Sequence, residues 1–300
     1  GNMINPLISL SDKKVFRVPI FLLIGWRGEI NKKKQIYDEP QHLTQGLITP
    51  KLLKLLDIKF KVINNKSNFK KDIMVLTKYA KQKNKIVALL IKKNTFEKTK
   101  YVNKVLKSNL LTREEALKIV YKNIPYRHPK ISTTGMLSRE LYELNEINQT
   151  HDNTFMCVGG MGHSISISTG LALFKKSKKI VCLDGDGSIL MHLGALANSG
   201  KIKNLIHVVF NNFAHDSVGG QRPPSENIEF YKVARDMGYS NSFRVKNSLQ
   251  LKNKIDFALK NKKNTFIEIV CKKGHRKNLS RPKQNTLYYK QKFMKFVSKK

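Results

Sequence analysis

Acidic side chains are scarce in this chain of 300 residues. Its 21 Asp and Glu stand against 57 Lys and Arg, a formal net charge of +36. Cysteine is also scarce. Cys157, Cys182 and Cys271 are odd in number and unclustered, which argues against a disulfide framework or a zinc site and for a reducing compartment. Buried, inert thiols are expected. No apolar run approaches the roughly 20 residues of a membrane span. The longest, Pro19 to Gly25 (PIFLLIG), reads as a buried strand. The opening GNMINPLISL has no basic n-region, so the expected setting is cytoplasmic, with no membrane partner. No RGG, zinc-finger or RNP-like pattern accompanies the lysines, which are scattered through every segment. Their excess reads first as compositional drift among Lys, Asn and Ile, and a nucleic-acid partner is not expected. The charge would still attract an anionic substrate.

What the chain does contain is enough apolar residue for real cores (40%) and length for about two domains. Apolar strand-like runs at Ile20–Ile24, Ile86–Ile91, Ile180–Leu183, Leu205–Phe210 and Phe266–Val270 alternate with lysine-rich amphipathic runs. That alternation predicts an α/β fold of parallel sheets with flanking helices. One helix is expected from Thr49, with Pro50 at its first position. Another is expected from Thr112, where Thr112 and Glu115 have capping-box spacing. The polar stretch 92–111 separates two domains, 1–105 and 106–300. The last 20 residues predict a surface helix or a loose end.

Two strand ends carry the chemistry. The run ending at Leu183 leads into Gly185-Asp186-Gly187, and the next leads into Asn211-Asn212. Strand ends of parallel sheets are where ligands sit. Glycines let backbone approach a phosphate, and a helix expected from about Ser188 would offer free N–H groups. A carboxylate in such a turn makes sense if a divalent cation lies between it and the phosphate. Asp186 and Asn212 offer two hard oxygens, which suits Mg²⁺.

These motifs resemble the thiamine-diphosphate-dependent decarboxylase superfamily, whose signature is GDG, a spacer, then NN. The resemblance implies thiamine diphosphate and Mg²⁺ as cofactors, and a thiamine-diphosphate-binding fold. It implies Asp186 and Asn212 as side-chain ligands, the Ala214 carbonyl as a third, and Gly185, Gly187 and Ser188 around the diphosphate. In "VGGMGHSISISTGLALF", Met161 would be the apolar wedge that bends the cofactor, and Gly159 would offer its carbonyl to the 4′-amino group. In "ISTTGMLSREL", Gly135 to Ser138 would contact diphosphate. The cofactor would lie between subunits, so a homodimer or larger assembly is implied.

Further stretches narrow the resemblance to the phosphonopyruvate decarboxylases, with the sulfopyruvate decarboxylases as nearest siblings. They are "FLLIGWRGE", "DEPQH", "LTREEAL", "GDGSILMHLGALA", "NNFAHDSVGGQ" and "KGHRKNLSRP". In the last, Asn278 and Ser280 stand where an acidic residue and Gly are usual. The implied reaction converts phosphonopyruvate to phosphonoacetaldehyde and CO₂ through the cofactor's ylid. His42 (in a polar loop), His163 and His215 are the candidates for proton transfer. Arg27, Ser217 and the backbone to Gly220 are candidates for gripping the phosphonate. The family's ylid-forming glutamate, in a stretch like "NEGNA", has no counterpart among Asp12, Glu29, Asp38 and Glu39. The first domain is therefore expected to be only the later part of a pyrimidine-binding domain. Activity is expected to need an N-terminal segment supplied in cis or by a separate chain. The alternatives are another 2-keto-acid enzyme, a regulatory subunit or a basic nucleic-acid-binding fragment. Strongly salt-dependent DNA binding without cofactor binding would mark the last of these.

Overall fold

The computed structural model describes residues 3–31, 34–97 and 109–299. The chain divides into two compact units, Gly1–Asn103 and Lys104–Lys300. The domain boundary expected at 105/106 lies outside the described residues. Among the described residues no helix is long and apolar enough to cross a membrane.

The first unit runs α1 (Ile4–Ser11), β1 (Phe21–Gly25), a short antiparallel ladder of β2 (Ile30–Asn31) and β3 (Lys34–Gln35), α2 (Pro40–Leu55), β4 (Lys59–Ile63), α3 (Phe69–Lys83) and β5 (Val87–Ile91). Strands β1, β5 and β4 pair in that order, all parallel. The period of two in β5 divides the core. Val87 and Leu89 pack with Leu76 and Ala80 of α3. Ala88 faces the other way, toward Leu53 of α2. The run at Pro19 to Gly25 is thus not a fully buried strand. It forms an edge of this sheet, and Leu23 is 68% exposed.

Helix α2 starts at Pro40 rather than at Pro50, and Pro50 lies inside it. Proline has no N–H to return to the carbonyl four residues back. The Gly46 carbonyl instead accepts the indole N–H of Trp26 at 2.9 Å. Glycine is needed at position 46, because a Cβ there would meet the Gly28 carbonyl oxygen at 2.0 Å. His42, expected in a loop, consequently sits in the first turn of α2.

The second unit contains α4 (Arg113–Asn123), β6 (Lys130–Ser132), α5 (Met136–Asn148), β7 (Thr154–Met156), α6 (Ser164–Phe174), β8 (Ile180–Gly185), α7 (Asp186–Met191), α8 (Ala195–Ser199), β9 (Leu205–Asn211), α9 (Phe230–Asp236), β10 (Asn241–Val245), α10 (Ser248–Lys260), β11 (Thr265–Val270) and α11 (Thr286–Ser298). The parallel sheet has the order β10-β11-β9-β8-β6-β7. Alternate residues feed two cores. Ile206, Val208 and Phe210 of β9 pack with residues of α4, α5 and α10. Leu205 and Val209 pack on the other face with residues of α6, α9 and α11.

The capping box forms as expected. Thr112 N–H donates to Glu115 Oε2 at 2.7 Å, and Glu115 N–H to Thr112 Oγ1 at 3.2 Å. The basic tail forms α11, which is no loose end. Tyr289, Phe293, Phe296 and Val297 lie on one helical face, and all are buried. From β6 the chain moves to the edge strand β7, and from β8 it moves the other way to β9. These opposite departures make the C-terminal ends of β6 and β8 a topological switch point, where a crevice opens.

Candidate active site

The crevice holds the GDG turn. Its walls include Thr134 and Gly135 after β6, Met161, Gly185 to Ser188 after β8, and Asn212 and Ala214 to Ser217 after β9. Asp186 opens α7 with only 3% of its surface exposed, and its Oδ2 is buried with no hydrogen-bond partner. Burial pushes its carboxyl up to about 7, against the pull of the backbone N–H groups of Gly187, Asp186 and Ala214. The neighbouring Asp216 raises it further. An orphaned carboxylate oxygen in such a place fits a divalent cation.

The neighbouring Asn212 is aimed by residues far along the chain. Asn212 donates its amide N–H to Asp216 Oδ2 at 2.6 Å, which leaves its amide oxygen free to accept. Asp216 is held in turn by Arg113 Nη1 at 2.9 Å. The buried Arg113 also forms a two-pronged pair with Glu140, at 2.9 and 2.8 Å. Arg113, Asp216 and Glu140 were not singled out from the sequence as site residues. Arg113 and Asp216 are 103 positions apart, beyond any local pattern. Glu140 did leave a signal, since it falls on the apolar stripe Leu137, Leu141, Leu144 of α5, where a lone acid needs a buried cation.

The remaining candidates divide. Gly135, Met161, Gly185, Asp186, Gly187, Ser188, Asn212, Ala214, His215 and Ser217 come together around the crevice. The His215 ring lies over Gly187, where a Cβ would meet its Nδ1 at 2.5 Å. Ser217 lies over Gly135, whose Cβ would be 3.5 Å from the Ser217 hydroxyl. Ser138 does not face the crevice. Its hydroxyl donates to the Thr133 carbonyl at 2.6 Å and pairs with Ser132. Ser188 is at the wall, but its hydroxyl is used internally. It pairs with Thr133 Oγ1 at 2.7 Å and accepts the Gly162 N–H at 3.0 Å, tying three strand-end loops together. Gly159 is exposed at φ 72°, and the exposed His163 stacks on His192 with ring centres 4.1 Å apart. Neither lines the crevice. The backbone donors proposed between Ser217 and Gly220 are partly spent, because the N–H groups of Val218 and Gly220 both bond the His215 carbonyl at 3.0 Å.

In the first unit, Arg27 is not a free anion ligand. Its Nε donates to Asp38 Oδ2 at 2.8 Å and its Nη2 to Oδ1 at 2.5 Å. His42 Nδ1 reaches the same carboxylate at 3.0 Å. All three thiols are buried and free, as expected, and burial pushes the Cys157 thiol up to about 12.

Residues 130–269 match the family described as thiamine pyrophosphate enzyme, C-terminal TPP binding domain. Phosphonopyruvate decarboxylase of Streptomyces viridochromogenes is 30% identical over 316 residues, covering 99% of this chain and 77% of that protein. The chain belongs to the thiamine-diphosphate-dependent decarboxylase superfamily. Another relative in this superfamily is the beta subunit of sulfopyruvate decarboxylase from Methanococcus maripaludis. It is 31% identical over 191 residues, which cover 63% of this chain and 99% of that subunit. Among solved structures, benzoylformate decarboxylase from Polynucleobacter necessarius aligns over 83% of this chain and 49% of its own. The TM-score is 0.48 and the identity 18%.

Proposed function

We propose that this chain is part of an enzyme that decarboxylates phosphonopyruvate and that acts with a further N-terminal segment, with Mg²⁺ to be held by Asp186 Oδ2, the Asn212 amide oxygen and the Ala214 carbonyl. The observation that carries the reading is the unpartnered, buried Asp186 oxygen at the switch point, beside an Asn212 whose amide nitrogen is already committed. The turn at Thr134 and Gly135 would hold the diphosphate, and Asp186, Asn212 and Ala214 would hold the cation that neutralises its charge. When bound, thiamine diphosphate supplies the electron sink for the pair released as CO₂ leaves. The protein orients the substrate, excludes water and moves protons. His215 is the titratable ring at the crevice wall and the residue we assign to proton delivery there.

The substrate assignment is supported by relatives of that name at 30% and 29% identity over 99% of the chain. Sulfopyruvate is the second reading, favoured by the subunit that aligns along 99% of its own length. The Ser217 hydroxyl at the crevice wall is the donor proposed for the anionic head, while Arg27, expected for the same role, is committed to Asp38. The glutamate that activates the cofactor ring is proposed to come from a segment or chain beyond these 300 residues. Of the early acids, Asp12 accepts the Lys14 N–H at 2.7 Å and Glu29 is buried on the Lys93 N–H at 2.6 Å, while Asp38 is fully engaged. We propose that the working enzyme is a homo-oligomer or a complex with such a chain.

The test is kcat/KM for phosphonopyruvate, sulfopyruvate and pyruvate by CO₂ release, with Mg²⁺ and thiamine diphosphate, on the natural protein. Phosphonopyruvate should lead pyruvate by several kcal/mol in transition-state binding, on the order that charged buried hydrogen bonds supply. A preference for pyruvate would overturn the substrate reading and leave the cofactor site standing.

A further inference from the structure

The cluster around Asp38 has a chemical consequence for His42. Five donors converge on the Asp38 carboxylate. Oδ1 accepts from Arg27 Nη2 at 2.5 Å, from Glu39 N–H at 2.8 Å and from the His42 ring at 3.0 Å. Oδ2 accepts from Arg27 Nε at 2.8 Å and from Gly28 N–H at 3.1 Å. A carboxylate so surrounded carries no proton and can only accept. The 3.0 Å contact with His42 is then attractive only if Nδ1 carries the hydrogen, because a bare Nδ1 would set one lone pair against another. A neutral ring with hydrogen on Nδ1 has its free lone pair on Nε2. Among the described residues Nε2 makes no hydrogen bond.

We propose that Asp38 is a positioning residue that locks His42 in the Nδ1–H form, so that Nε2 is the atom that takes up and releases protons. The logic is that of a buried carboxylate holding an imidazole in its working tautomer, known from hydrolytic triads. Arg27 belongs to this device as the cation that keeps Asp38 ionised. It holds the carboxylate well below the usual range. The catalytic half rests on the decarboxylation proposed above and gives His42 a second proton transfer in it, in addition to the one assigned to His215. The tautomer half stands on the geometry alone.

The test is ¹⁵N–¹H correlation of the histidine rings in the purified full chain at a pH where His42 is neutral. His42 is assigned by the resonance lost in His42→Gln. The expected spectrum shows Nδ1 protonated and Nε2 bare. A dominant Nε2–H form in the unmutated protein would overturn the proposal, and this reading needs neither substrate nor cofactor. In Asp38→Ala the ring should revert toward Nε2–H. With thiamine diphosphate affinity unchanged, kcat should fall roughly a hundredfold, the lower range for a positioned acid–base group. A reverted ring with unchanged kcat would overturn the catalytic half. A wrong substrate assignment would show itself separately, as a different preferred acid in the unmutated enzyme.

Discussion

Replacing Asp186 by Asn should stabilise the metal-free protein while removing the carboxylate proposed to hold Mg²⁺. Burial raises the Asp186 carboxyl from its ordinary 3.8 to about 7. Between those values the folded state holds a proton that the unfolded state has released. Stability therefore falls as pH rises from about 4 to 7, then levels. At 1.36 kcal/mol per unit, the ionised carboxylate costs the apo fold about 4 kcal/mol at pH 8. Asn resembles the neutral acid and carries no such cost. In EDTA at pH 8, Asp186→Asn should therefore be more stable than the unmutated protein by up to that amount. Below pH 4 the two should converge. Mg²⁺ with thiamine diphosphate should stabilise only the unmutated protein, and more strongly as pH rises toward 7, because binding must expel the proton. The assay is urea unfolding followed through the second unit's transition, with and without EDTA, from pH 4 to 8. Parallel curves for the two proteins, or an Asn variant less stable at pH 8, would refute the argument. So would equal affinity of both proteins for Mg²⁺ and cofactor.

Two further expectations follow from buried groups. Arg113→Met leaves Glu140 and Asp216 as unpaired buried carboxylates, and should cost about 3–5 kcal/mol by urea unfolding. It should also weaken Mg²⁺-dependent cofactor binding, because Asp216 loses its anchor and Asn212 its orientation; undiminished binding in a folded variant would count against that chain of support. Cys157, Cys182 and Cys271 should not react with a disulfide reagent at pH 8 until denaturant is added, because burial pushes each thiol well up from its ordinary value. Fast labelling of the native protein would contradict that burial.

The sequence by itself determined the parallel α/β class, the main strands and the two strand ends that carry Asp186 and Asn212. Each is written in neighbouring residues. Apolar runs bounded by turns define the strands, Thr112 and Glu115 cap a helix three residues apart, and Gly185-Asp186-Gly187 and Asn211-Asn212 each close a strand. Only the tertiary structure decided how Asn212 is held. Arg113, Glu140 and Asp216 meet because α4, α5 and the loop after β9 converge, and no local pattern records a partner 103 residues away. The same holds where local reasoning failed. Pro50 reads as a helix start, yet α2 runs through it because the carbonyl it leaves bare is taken by Trp26 from a separate strand end. The strand ending at Gly25 reads as buried from its apolar run, yet it lies at an edge, and which strand lies at an edge depends on pairing order rather than composition. The resemblance implies diphosphate contacts at Ser138 and Ser188, yet their hydroxyls already bond Thr133 and Gly162. A side chain's type is local, whereas the use made of its donors and acceptors depends on whichever remote groups the fold brings within 3 Å.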